Sequence, residues 1–325
     1  MDDRRRATSQ QGCRVNNLHE HSAQTIKAGS KSFAIASLLF GREMRHDAQM
    51  LYAWCRYADD VIDGQEMGYA QQEYDGTPEE RLKALRRDTQ AAIRGDAMDD
   101  PAFAALGEVV RRHAIPPRYP MELLDGFYMD VTQHRYQHFS ETLEYCYYVA
   151  GVVGIMMALI MGVKPEEELV LHRACDLGMA FQLTNIARDV IEDAENGRIY
   201  LPADWLQEVG LPQQPEALLQ PEYRAKLHGL ALRLVHHAEP YYASAALGMR
   251  ALPPRAAMAI GAARSVYRRI GTRLEQQRPA EWNGRIVIPK HEKQALAITA
   301  GLQGLVLSLL PPTNASRQGL WTRPA

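Results

Sequence analysis

Gln182, Asn185, Asp189 and Asp193 are spaced by three, four and four residues, so on a helix they form one stripe of oxygen-bearing side chains. Phe181, Leu183, Ile186, Ala187, Val190 and Ile191 stand between them and make the other faces apolar. A helix packed on those faces cannot also bury unpartnered carboxylates, because each would cost several kcal/mol. The stripe therefore predicts a cavity inside a helical protein; a solvated helix face is the alternative.

The rest of the chain fits a helical protein. Apolar residues recur at three- and four-residue spacing, and runs of alternating β-branched residues are nearly absent. The pattern predicts helices over 17–40, 46–64, 78–95, 100–113, 120–135, 141–162, 166–195, 202–208, 222–247, 254–278 and 290–310. Breaks fall at Pro116-Pro117, Lys164-Pro165, Gly197, Gly210 to Pro215, Pro253-Pro254 and Pro311-Pro312. None is long enough to link two domains. Length alone, 325 residues, allows two domains. With no linker and no repeat, a single all-α domain over 17–310 is expected, with a disordered amino terminus at 1–16 and a flexible tail at 311–325.

A second carboxylate pair, Asp59 and Asp63, sits one helical turn apart beside Tyr52, Trp54, Val61 and Ile62. Like charges at that spacing cost a few tenths of a kcal/mol unless a cation bridges them. With 17 Asp in 325 residues, chance alone supplies about one such pair. Asp96 and Asp100 form another, in a polar stretch before Pro101 that reads as a solvated turn. The apolar company of Asp59 and Asp63 distinguishes them. Two Asp pairs on two apolar helices point to a cluster of hard divalent ions rather than an acid/base pair, and Mg²⁺ completes such a shell with water and phosphate. Arg56 and Arg188 share these helices and suit a diphosphate through paired hydrogen bonds. Surface ion pairs to Asp60 and Glu192, each four residues on, are the plainer account.

Several function classes are excluded or weakened. A formal charge of −2, from 37 basic and 39 acidic residues, argues against nucleic acid as partner. Cys13, Cys55, Cys146 and Cys175 lie far apart, which suggests reduced thiols and a cytoplasmic location. Arg4 to Arg6 precede no apolar stretch of signal-peptide type. Ala295 to Leu310 is apolar but falls short of the roughly 20 residues that cross a bilayer. A carboxy-terminal core helix is expected there, with peripheral membrane contact as the alternative. Gly29-Ser30-Lys31-Ser32 lacks the phosphate-loop frame, and His134 and His138, though able to share a helix face, lack a third metal ligand.

At these residues the chain resembles the squalene and phytoene synthase family. Tyr145-Cys-Tyr-Tyr-Val-Ala-Gly-Val-Val-Gly154 matches one signature, and Leu177 to Asp193, continuing to Arg198-Ile-Tyr-Leu-Pro202, matches the other. Ser30-Lys-Ser-Phe33 and Asp59-Asp-Val-Ile-Asp63 fit the amino-terminal pattern, and the likeness extends from about residue 20 to 290. Leu51 to Asp63 and Ala238 to Tyr242 look most like the bacterial phytoene synthases. The resemblance implies an all-α isoprenoid-synthase bundle whose central cavity joins two geranylgeranyl diphosphates head to head. The course it implies runs through a cyclopropyl diphosphate and releases diphosphate, as the first committed step of carotenoid synthesis. It implies Mg²⁺, or Mn²⁺, on Asp59, Asp63, Asn185, Asp189 and Asp193, and no NADPH. Tyr52, Arg56, Gln182, Arg188, Tyr267 and Arg285 would contact diphosphate, with Ser30, Lys31 and Ser32 near one phosphate. Tyr145 would steer the cation or the proton, released diphosphate being the other candidate base. Met156, Met157, Met179 and Phe181 would wall the cavity, and neighbouring carotenoid enzymes are implied partners. A squalene or dehydrosqualene synthase acting on farnesyl diphosphate, and a non-catalytic helical lipid-binding protein, are the alternatives.

Overall fold

The computed structural model describes residues 18–26, 36–66, 70–71, 74–279, 282 and 286–324. Ser30 to Ser32 and Arg285 lie outside them. After helix α1 (residues 18–26) comes α2 (Arg42–Asp63), which buries Ala48, Met50, Leu51, Trp54, Ala58 and Ile62. It stops at Gly64, whose φ of 65° and N–H bond to the Asp60 carbonyl close the last turn. A hairpin of two two-residue strands, Gln65–Glu66 and Ala70–Gln71, follows.

Helix α3 (Pro78–Arg94) begins on a capping box: Thr77 Oγ1 accepts from the Glu80 N–H, and Glu80 Oε2 accepts from the Thr77 N–H at 2.9 Å. Helix α4 (Pro101–His113) begins on Asp100, whose Oδ1 accepts from the Ala102 N–H at 2.8 Å. The Asp96/Asp100 pair is therefore a helix start, with Asp96 bonded to Arg94. Helix α5 (Arg118–Val131) ends before His134. His134 and His138 thus share no helix; they pair with Glu141 and Asp204 instead.

Helix α6 (Phe139–Ile160) and helix α7 (Glu168–Glu195) form the centre. Within α6, Tyr147–Gly151 makes a π-helical turn, a feature periodicity does not reveal. The two helices approach backbone to backbone. A Cβ on Gly178 would lie 2.1 Å from the Ala150 carbonyl oxygen, and one on Gly154 2.3 Å from that of Ala174, so neither position has room for a side chain. By length and apolarity α6 passes as a membrane span, yet 61% of its apolar window is buried inside the protein, as in a core helix.

Helices α8 (Ala203–Glu208) and α9 (Pro215–Leu218) are short; the second starts at the last residue of the expected break Gly210 to Pro215, where no helix is expected. Helix α10 (Arg224–Gly248) packs along α7, where Thr184 Oγ1 and the Tyr242 hydroxyl meet at 2.8 Å. Helix α11 (Pro254–Glu275) lies against α7 and carries α12 (Lys290–Ser308) on its outside. Helix α12, expected in the core, buries only Ala300, Gly301 and Gly304.

The expected flexible tail is a packed strap. Asp176 on α7 is fully buried. It accepts from the Ser244 hydroxyl at 2.5 Å and from Arg317 at 2.8 and 2.6 Å, a bidentate pair reaching across 141 residues. Arg173 donates to the Ala315 carbonyl, the Trp321 N–H to the Tyr241 hydroxyl, and Arg323 to the Tyr119 hydroxyl at 2.6 Å. Arg317→Ala strands the Asp176 carboxylate and should cost about 3–5 kcal/mol in denaturant unfolding, with Asp176→Asn recovering part of the loss. An unchanged midpoint for Arg317→Ala would show that the strap contributes no stability.

Candidate active site

One cavity of ≈ 1010 Å³ receives the side chains both motifs predict. From α2 come Tyr52, Arg56, Asp59 and Asp63; from α7 come Phe181, Gln182, Asn185, Asp189 and Asp193; from α6 comes Tyr145; from α11 comes Tyr267. Met157 and Phe181 wall it as expected, whereas Met156 and Met179 point into the core and are fully buried. Tyr267 stacks on Phe181 with centroids 4.1 Å apart.

The carboxylates are held by guanidinium groups. Arg56 donates to Asp59 at 2.7 Å and stands 3.6 Å from Asp60, so the expected surface pair is joined by a contact inside the site. Arg188 grips Asp189 through both ends of its fork, Nε to Oδ1 at 2.7 Å, and Glu192 adds to the negative charge around it. It is itself off the cavity wall. Arg198, just past the end of α7, donates to Asp63 at 2.6 Å and thereby ties the α7 motif to the α2 motif across 135 residues.

Asp130, Arg198 and Tyr200 also line the cavity and carry no role in the sequence reading. Asp130 ends the buried Leu123–Phe127 face of α5 at helical spacing, and that placement is its sequence signal. Its two oxygens accept from Tyr145 at 3.0 Å and Tyr200 at 2.9 Å, and the two rings stack at 4.8 Å. Burial raises the Asp130 carboxyl to about 6 despite Arg198 and these two bonds. Burial and the neighbouring Asp130 push the Tyr145 hydroxyl well above its ordinary value, so it stays protonated.

Burial likewise raises Asp59. Arg56 pulls it back, Asp63, Asp60 and Asp130 add to the rise, and the carboxyl stands at about 7. Burial and Asp189 hold Asp193 well above the usual range. Crowded acids of this kind are relieved by a cation. The donor set is all oxygen, which suits Mg²⁺ or Mn²⁺. Asn185 adds a second fit: its buried Oδ1 has no hydrogen-bond partner among the described residues, while its amide donates to Gln182 at 3.3 Å. Among the described residues no three His, Cys, Asp or Glu side chains converge to enclose an ion. Each wall thus offers part of a shell, which phosphate oxygens and water would complete.

A family profile described as squalene/phytoene synthase matches residues 26–292. The chain belongs to the squalene/phytoene synthase family. It is 49% identical over 310 residues to a 15-cis-phytoene synthase of Pantoea ananas, covering 94% of this chain and 98% of that one. It is 50% identical, with the same coverage, to a phytoene synthase of Pseudescherichia vulneris. Among solved structures a dehydrosqualene synthase bound to a ligand superposes with a TM-score of 0.76 at 26% identity, covering 88% of this chain and 96% of that one. The all-α isoprenoid-synthase bundle of this family is the architecture described above.

The raised acids fix the sign of a pH effect. A carboxyl whose folded-state value lies near 7, above its ordinary 3.8, weakens the metal-free fold as pH rises through that interval. Asp59→Asn should therefore gain in melting temperature on the wild-type protein between pH 5 and pH 8 in chelator. A wild type that gains on the variant instead would mean that the Arg56 pair outweighs burial.

Proposed function

We propose that the protein is a phytoene synthase, a prenyltransferase that joins two geranylgeranyl diphosphates head to head and releases diphosphate. One observation carries this reading: two carboxylate sets, from helices about 130 residues apart, meet on one largely apolar cavity walled by α2, α5, α6, α7, α10, α11 and α12. The curated relatives near 50% identity, named as phytoene synthases, support it.

Bound at Asp59, Asp63, Asn185, Asp189 and Asp193, Mg²⁺ would neutralise the departing diphosphate. The chain's own residues do the rest. Arg56 and Arg198, already at the carboxylates, can turn their forks to phosphate oxygens once those carboxylates are otherwise neutralised. Gln182 and Tyr267 line the same end, and Arg188 orients Asp189. Ser30, Lys31, Ser32 and Arg285 are assigned to phosphate by resemblance alone. Met157, Phe181 and their apolar neighbours exclude water from the allylic cation. Tyr145, held neutral and aimed by Asp130, presents a ring and a fixed dipole rather than a base, which leaves released diphosphate as proton acceptor. No reductant enters this scheme. Free thiols at Cys55, Cys146 and Cys175 support a cytoplasmic setting.

Purified protein with Mg²⁺ and geranylgeranyl diphosphate should give a C40 hydrocarbon without NADPH; a C30 product formed only from farnesyl diphosphate would overturn the assignment. Asp59→Ala and Asp189→Ala should each lower diphosphate release by at least ~10²-fold, whereas a lipid-binding protein would keep its function in both. Tyr145→Phe should lower kcat on the order of 10²-fold with KM little changed; a change in KM alone would make Tyr145 a substrate contact only.

A further inference from the structure

The exposed large apolar side chains are concentrated in one place. Six of the eight among the described residues, Val287, Ile298, Leu302, Val306, Leu309 and Leu310, lie on or beside α12. Ile298, Leu302, Val306 and Leu309 follow at four, four and three residues, so they make one stripe on the outer face of the helix. From Gln294 to Ser316 no residue is charged. A water-facing helix would carry charges on that face.

The stripe is continuous with the active-site cavity. Ile298 and Leu302 are 66% and 54% exposed yet also line it, as does Leu38, 62% exposed, from the segment before α2. Among the described residues the cavity thus reaches the surface between this segment and α12, with Lys293 and Gln294 at one end of a rim otherwise formed by Leu38, Ala297, Ile298 and Leu302. We propose that the outer face of α12, with Leu38 beside it, docks flat on a lipid bilayer and opens the cavity directly into the acyl chains.

A second protein chain seated here would close the cavity mouth, whereas acyl chains extend the apolar lining outward. From Ile298 to Leu309 the stripe runs about 17 Å, against roughly 30 Å of hydrocarbon, so α12 lies in the interface and does not span it. Lacking charge, the contact does not depend on anionic headgroups. Docking stands on the α12 face alone; only the nature of the cargo, a prenyl chain entering and a hydrocarbon leaving, rests on the proposed function.

Flotation of the full-length protein with neutral phosphatidylcholine vesicles, in low and high salt and without substrate, tests docking apart from activity. The wild-type protein should float in both. Val306→Gln combined with Leu309→Gln and Leu310→Gln, none of which lines the cavity, should lower the floated fraction about tenfold at an unchanged melting temperature. The proposal is overturned if the wild type stays at the bottom, whether as a monomer or as a dimer that the triple variant splits. It is equally overturned if the variant floats like the wild type, or if flotation requires anionic lipid and vanishes in high salt.

Discussion

Burying acid in an apolar helical interior is the constraint on which the structure depends. Asp59, Asp63, Asp130, Asp189 and Asp193 project from three helices whose other faces pack in the core. No arrangement that seals those helices together on every side can hold them. A cavity is the solution, and its polar end is stabilised by what the same elements supply: Arg56 at Asp59, Arg198 at Asp63, Arg188 at Asp189, and two tyrosine hydroxyls at Asp130. Acids that remain raised, Asp59 near 7 and Asp193 well above its usual range, are the groups that the proposed cation would relieve.

Packing then fixes where that polar end sits. The backbone contact at Gly154 and Gly178 locks α6 against α7, and the π turn at Tyr147–Gly151 starts two residues after Tyr145 and itself contributes Val149 and Ala150 to the wall. On the same α7, thirteen residues before Asp189, Asp176 anchors the carboxy-terminal strap through Arg317. One helix thereby carries a carboxylate paired with an arginine of the carboxy-terminal strap and the carboxylates proposed to take a cation. Burial separates the two: Asp176 is closed to solvent, while Asp189 faces the cavity.

Much of this was legible before any coordinates. The stripe from Gln182 to Asp193 announced a cavity because its spacing matches the helical repeat, and helix boundaries followed Gly and Pro. Asp130, Arg198 and Tyr200 were not legible as site residues, since their roles come from partners 15 to 135 residues away. The π turn leaves no mark in composition. The tail looks flexible in sequence because it follows Pro311-Pro312 and shows no helical periodicity, and only the buried Asp176 and Tyr119 reveal why Arg317 and Arg323 are held. Helix α12 looks like core in sequence because Ala295 to Leu310 is apolar almost throughout, and periodicity alone does not say what covers a face.

The central claim is that the α2 and α7 carboxylates act together on one diphosphate. Its most direct test is anomalous scattering from Mn²⁺ in crystals grown with a non-ionising prenyl thiodiphosphate. The account predicts Mn²⁺ at Asp59 and Asp63 and at Asp189 and Asp193, with the diphosphate bridging the two sets. Ions on one wall only, or a diphosphate bound away from both, would contradict it.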